Sequence, residues 1–282
     1  MSTEIAGGLA RARERAGTGS SAHLPLQRVW AAIWPKLATI GVLLGLWQIV
    51  VWSGWRAPDV LPGPLAVLER LGADLSQPDF YAGVAVTLRR ALAGYAIAVL
   101  LGGALGLLVA RVQLMRHAIG ATLVGFQSMP SIAWLPLAIL LFQPSEMAIV
   151  FVVVIGAAPA IASGLLIGVD HVQPLLLRVG WMMGARGLRL YRHIVLPAAL
   201  PAFVGGLKQG WAFAWRSLMA GELIVMVTRQ PSLGQQLSLA RQMSDPAQML
   251  ALMMMIFAIG VLVDGIFGIV DRAISRRWGL LA

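Results

Sequence analysis

Long apolar stretches separated by short polar connections run through the chain from residue 37 onward. A helix needs about 20 mainly apolar residues to cross about 30 Å of hydrocarbon. Six stretches are candidates, at residues 37–55, 84–110, 118–142, 147–169, 198–227 and 247–271. The pattern therefore predicts an all-α membrane protein with about six transmembrane helices over residues 37–282, preceded by a tail over residues 1–36.

The composition agrees with a lipid environment and excludes several kinds of chemistry. Hydrophobic residues make up 59% of the chain and charged residues 12%, whereas a soluble domain is about 45–50% apolar and about 25% charged. The chain has no cysteine, which excludes disulfides, thiolate metal sites and cysteine nucleophiles.

The basic residues orient the predicted bundle. The net charge is +10, which on a soluble protein would suggest nucleic-acid binding. Here the side that holds both ends of the chain carries more than twice as many basic residues as the other side. The positive-inside rule places the richer side in the cytoplasm. We therefore expect both termini to be cytoplasmic, and the positive charge needs no nucleic acid to explain it.

The connection over residues 170–196 is the most informative of the loops. Apolar residues at helical spacing precede Gly184, which is a typical helix stop. Three arginines then form a basic face: Arg186, Arg189 and Arg192. This pattern predicts a short amphipathic helix that docks in a groove of a cytoplasmic partner, or one that lies on anionic lipid.

Several motifs carry a resemblance to a known family. Gly184, nine intervening residues and then Ile194-x-Leu196-Pro197 resemble the cytoplasmic signature of bacterial ABC-importer permeases. In that family the loop forms a coupling helix that sits in a cleft of the ATPase subunit. Other motifs are similar to the nitrate/sulfonate/taurine branch: Pro130-Ser131-Ile132-Ala133-Trp134-Leu135-Pro136-Leu137, Leu61-Pro62-Gly63-Pro64, Gly221-Glu222-Leu223, Ser232-Leu233-Gly234, and Asp264 with Asp271-Arg272.

The resemblance implies a set of partners as well as a fold. The expected fold is that of a type I ABC-importer permease in a bacterial plasma (inner) membrane. The expected partners are a second copy of the permease, two ATP-binding cassette ATPase subunits, an extracytoplasmic solute-binding protein and membrane lipid. The chain contains no Gly-x-x-x-x-Gly-Lys-Ser/Thr run. We therefore expect no cofactor in this chain, with ATP and Mg bound by the partner ATPase.

The chain departs from the family signature at its beginning. That signature normally starts Glu-Ala-Ala, six residues before the glycine, where this chain has Arg178, Val179 and Gly180. The glycine and the Leu-Pro pair survive, so the docking role is retained. The residues expected to couple to the ATPase are Arg178, Val179, Gly180, Met183, Gly184, Ala185, Arg186, Leu188, Arg189, Ile194, Leu196 and Pro197.

Ionisable residues within the apolar stretches are candidates for function, because charge is costly in a membrane. Arg216 and Glu222 are six residues apart, about 240° around a helix, so they cannot pair on one face. Arg216 is expected either to attract an anion in the translocation path or to brace the dimer interface through Glu222 or Asp264 of another helix. Lys208 can extend its ammonium to the inner surface. The residues predicted to line the translocation path are Gln127, Ser128, Met129, Pro130, Trp134, Arg216 and Glu222. The alternative is that these residues serve only helix packing or another structural role.

Three functional classes are compared. An importer permease would carry small anions such as aliphatic sulfonates, taurine or nitrate, or else a neutral or cationic compound such as a pyrimidine or a vitamin precursor. A secondary transporter would favour internal repeats and broken helices with paired ionisable residues. A membrane-embedded enzyme would need a catalytic dyad or a metal cluster at membrane depth, and the sequence shows neither.

Overall fold

The fold is helical throughout the part of the chain that the structure describes. A computed structural model describes residues 25–111, 113–227 and 231–277, and the regular elements in these ranges are helices. The chain divides into two compact units, Met1–Pro58 and Asp59–Ala282. The first unit holds α1, Pro25–Trp52. Helix α1 begins within the predicted tail, and residues 1–24 of that tail lie outside the described residues.

The second unit contains the remaining helices in chain order. They are α2 (Pro64–Leu75), α3 (Pro78–Arg111), α4 (Gln113–Ser128), a 3₁₀ turn (Ser131–Trp134), α5 (Leu135–Phe142), α6 (Glu146–Asp170), α7 (Pro174–Met182), α8 (Leu188–Leu190), a π turn (Tyr191–Val195), α9 (Leu196–Ile224), α10 (Leu233–Gln242) and α11 (Pro246–Arg277). Proline begins α2, α3, α7 and α11, where its missing N–H leaves no hydrogen bond unmade. Helices α2 and α10 are short and lie in the connections between the predicted spans, over residues 56–83 and 228–246.

Four helices are long and apolar enough to cross a membrane. They lie over Pro78–Ala110, Glu146–Asp170, Leu188–Ile224 and Pro246–Ile274, and each covers one of the predicted spans. The apolar part of α1 is shorter and runs over Leu37–Trp52. The predicted span 118–142 is not one straight helix, because Thr122–Ser128 and Ser131–Phe142 meet at 96°. Within the described residues the structure thus gives four helices long enough to span, or five if the bent pair is one span, and the predicted number of six is not confirmed.

The bend has a cause in the sequence. Pro130 lies between the two halves and has no N–H to continue the hydrogen bonding of α4. It also disfavours helical dihedrals at the residue before it, Met129. The Ala133 N–H instead donates to the Pro130 carbonyl at 2.9 Å and starts a new helical turn in another direction.

Helix α6 forms the centre of the unit, between α3 and α9. Small residues allow these helices to approach closely, as is common in membranes. A Cβ added at Gly102 of α3 would lie 2.5 Å from the Ala158 carbonyl oxygen of α6. On the other side of α6, a Cβ at Gly164 would lie 2.4 Å from the Cα of Gly206 in α9. The second of the predicted apolar stretches, residues 84–110, is therefore packed inside the bundle.

Candidate functional site

A sharp turn at Gly184 shapes the segment between α6 and α9. Helix α7 ends there, with the Gly184 N–H bonded to the Trp181 carbonyl at 3.0 Å and the Ala185 N–H bonded to the Gly180 carbonyl at 2.9 Å. These two bonds form a Schellman motif, whose C′ residue has a left-handed conformation. Gly184 has φ of +79°, which a residue with a Cβ adopts only at a cost. The helix stop predicted at Gly184 is thus present.

The segment over residues 174–197, here called the docking segment, has an outward face that is apolar and basic. Met182 and Met183 are 79% and 80% exposed, and Trp181 and Leu188 are also exposed. Seven of the predicted coupling residues are exposed on this segment: Arg178, Val179, Met183, Gly184, Arg186, Leu188 and Arg189. This face offers both hydrophobic contacts and positive charge to a neighbour.

The inner face holds the docking segment against the bundle. The other predicted coupling residues are buried or half-buried, namely Gly180, Ala185, Ile194, Leu196 and Pro197. A Cβ at Gly180 would lie 2.3 Å from Cδ1 of Ile194 and 2.7 Å from Cδ1 of Leu190. The family signature has an alanine at this position. In this chain the side chains of Ile194 and Leu190 occupy the space that the alanine methyl group would need. The Tyr191 hydroxyl donates to the Ala110 carbonyl at 3.2 Å and ties the segment to the end of α3.

The bend after α4 gathers most of the predicted path residues around one cavity. This cavity has a volume of about 410 Å³. Six of the seven predicted path residues line it: Gln127, Ser128, Met129, Pro130, Trp134 and Arg216. Gln127 donates through Nε2 to Ser163 Oγ of α6 at 2.8 Å. Trp134 stacks on Phe126 with ring centroids 5.6 Å apart. Residues that are distant along the chain thus share one surface.

Arg216 also lines a second, larger cavity of about 760 Å³ between α9 and α11. Its Nε donates to the Ala212 carbonyl at 3.1 Å, and its guanidinium lies 4.8 Å from the centroid of the Phe213 ring. In the described part of the chain, no carboxylate lies within ion-pair distance of Arg216. Within the described residues, the guanidinium thus contacts the Ala212 carbonyl and the Phe213 ring.

Lys208 and Asp264 form an ion pair between α9 and α11 at 3.2 Å. Asp264 lines the larger cavity together with Arg216. Lys208 therefore has a partner at membrane depth, where the sequence suggested that it extends to the inner surface. Asp264 is engaged by Lys208, so it does not brace Arg216 within this chain.

Glu222 lies apart from the other predicted path residues, in a buried cluster of charges. Its side chain is fully buried and lines neither of the two cavities. Glu222 Oε1 accepts from Arg90 at 3.0 Å, and Oε2 accepts from Thr87 Oγ1 at 3.0 Å and from the Gly234 N–H at 3.1 Å. Arg90 also donates to both oxygens of Glu146, at 2.7 and 2.5 Å. The cluster joins α3, α6, α9 and α10.

Sequence reasoning did not single out Arg90, although it is the cation of this cluster. The side chain is only 2% exposed, because two carboxylates neutralise it inside the bundle. A signal was available: Thr87 and Arg90 lie three residues apart in an otherwise apolar stretch and so share one helix face. Two motifs that the sequence shows separately, Gly221-Glu222 and Ser232-Leu233-Gly234, also meet at this cluster.

Comparison with known proteins identifies the family. The model of the family described as "binding-protein-dependent transport system inner membrane component" matches residues 81–276. The chain belongs to this family. The resemblance to ABC-importer permeases is thereby confirmed, and this permease is a multi-pass protein of the inner membrane. ATP hydrolysis is carried out by separate subunits.

Curated relatives include permeases with stated cargo. The chain is 29% identical over 212 residues to the nitrate import permease protein NrtB of Synechocystis, which covers 71% of this chain and 76% of the relative. It is 28% identical over 194 residues to the taurine transport system permease protein TauC of Escherichia coli, covering 67% and 70%. These similarities confirm the predicted nitrate/sulfonate/taurine branch.

A solved structure supports the fold. The chain is similar to a permease chain from inward-facing conformations of the MetNI methionine ABC transporter. The TM-score is 0.60 at 20% sequence identity, and the match covers 70% of this chain and 96% of the other. The second unit therefore has the fold of an ABC-importer permease.

Proposed function

We propose that this permease forms the path for a small anion of the sulfonate, taurine or nitrate kind. The observation that carries the proposal is the position of Arg216, which lines both cavities and has no carboxylate partner in the described part of the chain. A guanidinium binds two oxygens of an oxyanion through its planar donors. The similarity to permeases named for nitrate and taurine supports the same class of cargo.

The depth of Arg216 strengthens the argument. It lies eight residues before the end of α9, or about 12 Å along a helix with 1.5 Å rise per residue. Charged side chains at membrane depth face the bundle interior or a water-filled cavity, because exposure to hydrocarbon is costly. An arginine that borders two cavities, and that has no carboxylate partner among the described residues, fits a path for anions.

The docking segment is proposed to bind the ATPase subunit. Exposed methionines and a tryptophan beside exposed arginines suit a groove that is apolar and acidic. Attachment to anionic lipid is the other use of such a surface. We propose an assembly of two copies of this permease, two ATPase subunits and an external solute-binding protein.

A neutral or cationic cargo is the second candidate. Asp264 places a carboxylate on the wall of the larger cavity. Its pairing with Lys208 neutralises much of that charge, whereas no ion pair within the described residues neutralises Arg216. The charge of the cavities therefore favours the anion.

The test replaces Arg216 in the reconstituted complex with its ATPase and binding protein. Arg216→Gln is expected to reduce taurine- or nitrate-stimulated ATP hydrolysis about tenfold or more, since a hydrogen bond to a charged group contributes about 1.5–3 kcal/mol. Arg216→Lys keeps the charge and should retain part of the stimulation. Gln209→Leu, at an exposed position of α9 that lines neither cavity, is the matched control. Unchanged stimulation in Arg216→Gln would contradict the anion path.

A further inference from the structure

The shape of the site around Arg216 narrows the class of anion. We propose that the transported anion carries an apolar body of several carbon atoms, with its charged group at Arg216 and its body in the larger cavity. This inference depends on the proposed function and deepens it. It distinguishes an organic anion from a compact inorganic one such as nitrate.

The two cavities that meet at Arg216 differ in their linings. Ile132, Arg216 and Ala220 line both. The smaller cavity adds polar groups from Gln127 and Ser128. The larger one is walled mainly by apolar side chains: Trp211, Trp215, Met219, Leu223, Ile256 and Phe257. A ligand held at Arg216 therefore has a polar environment on one side and an apolar environment on the other.

The volume of the larger cavity fits an organic molecule. About 760 Å³ lies within the range of roughly 300–1,000 Å³ that is typical of sites for drug-sized ligands. An anion with four non-hydrogen atoms, such as nitrate, would contact only a small part of the apolar wall. Each methylene buried against that wall should strengthen binding about fourfold. The site therefore favours anions with a carbon chain or a ring.

The depth of the site argues for a transported solute and against a membrane lipid. If the end of α9 lies at the membrane surface, where lipid phosphates are, Arg216 is about 12 Å of helix rise away from them. The arginine side chain would have to span most of that distance to reach a headgroup. An anion that enters the path meets the guanidinium directly, and its apolar part then lies beside α11.

The experiment measures direct binding in the assembled complex. The permease with its ATPase, in lipid nanodiscs without the binding protein, is titrated calorimetrically with nitrate and with methane-, butane- and hexanesulfonate. Affinity is expected to rise about fourfold for each methylene until the cavity is filled, and nitrate should bind more weakly than butanesulfonate. Equal affinity for nitrate and hexanesulfonate would overturn this inference while leaving the anion path intact.

Two variants test separately the site of the charged group, at Arg216, and the site of the apolar body, in the larger cavity; these are called the head site and the body site. Arg216→Gln should weaken the whole sulfonate series about tenfold or more, since the charge at the head site is lost. Ala212 lines the larger cavity and not the smaller one, so Ala212→Leu reduces the volume of the larger cavity alone. It should weaken hexanesulfonate at least fourfold and leave methanesulfonate unchanged, whereas Gln209→Leu should change neither.

Two outcomes would count against the proposals in different ways. If affinity still rises with chain length while Ala212→Leu leaves the binding of hexanesulfonate unchanged, the carbon chains are entering lipid or another groove, and the inference is wrong. If no sulfonate and no nitrate responds to Arg216→Gln in binding or in stimulated ATP hydrolysis, the anion path itself is wrong.

Discussion

Arg90 donates to Glu222 at 3.0 Å with both side chains shielded from solvent. The pair connects α3 with α9, and Glu222 also accepts from the Gly234 N–H at the start of α10. A buried charge is tolerated when it is paired and its other hydrogen bonds are satisfied. The cluster therefore fixes the position of α10 relative to the helix that carries Arg216.

Breaking this pair from one side should be more harmful than removing it entirely. Arg90→Met leaves Glu222 buried without a cation and is expected to lower the free energy of unfolding by about 3–5 kcal/mol. Glu222→Leu leaves Arg90 paired with Glu146 but removes the acceptor of the Thr87 hydroxyl and the Gly234 N–H, so it is also expected to be destabilising. The double variant should lose less than the sum of the two. Thermal unfolding in detergent, followed by the loss of helical circular dichroism, measures the effect, and strict additivity would show that the two side chains are not coupled.

Neighbouring glycines on α9 offer a matched test of helix packing. Gly206 faces Gly164, whereas a Cβ at Gly205 would meet no atom within 4 Å. Gly206→Ala is expected to destabilise the permease by about 1–3 kcal/mol, because overpacking forces the helices apart. Gly205→Ala should be neutral or slightly stabilising, since alanine favours a helix over glycine. The unfolding temperatures of the two variants compare them directly, and equal values would contradict the close crossing.

We predict that binding of the ATPase depends on the left-handed conformation of Gly184. Its φ of +79° is unfavourable for a β-branched residue and tolerated by asparagine. Gly184→Val should distort the docking segment and reduce co-purification of the ATPase, at a conformational cost of about 1–2 kcal/mol. Gly184→Asn should retain most of the association. If both variants associate like the original chain, the turn does not position the docking surface.

We predict that exchanging Lys208 and Asp264 for each other restores an assembly that is impaired when either one is replaced alone. Asp264→Asn leaves the lysine without its partner, and Lys208→Met leaves the aspartate without its partner, so each is expected to lower the yield of assembled complex. The exchange Lys208→Asp with Asp264→Lys restores opposite charges across the same contact. Recovery of assembly in the exchanged variant would support the pair. Equal yields in all of these variants would show that the contact has no role in assembly.

The long apolar helices could be predicted because their signal is local. Length and hydropathy are read from consecutive residues, and α3, α6, α9 and α11 agree with the predicted spans. The stop at Gly184 is local as well, because a glycine in the left-handed region ends a helix by bonds within six residues. The path residues around Pro130 form one short motif, so their common surface also follows from the sequence.

The buried charge cluster could not be predicted in the same way. Arg90 meets Glu146 and Glu222, which are 56 and 132 residues further along the chain. Hydropathy treats an arginine near a helix end as a surface charge, and only the packing of α3, α6 and α9 brings its partners within reach. A bend at Pro130 follows from the proline itself, whereas its angle of 96° does not, since composition measures how apolar a stretch is and not its direction.

The crossing of α6 and α9 at Gly164 and Gly206 has a mechanical consequence. These two helices flank the docking segment in the chain, and their backbones touch without intervening side chains. We therefore expect a displacement of the docking segment to move α6 and α9 together. Because Arg216 lies ten residues beyond Gly206 on α9, such a movement would also shift its guanidinium relative to α11.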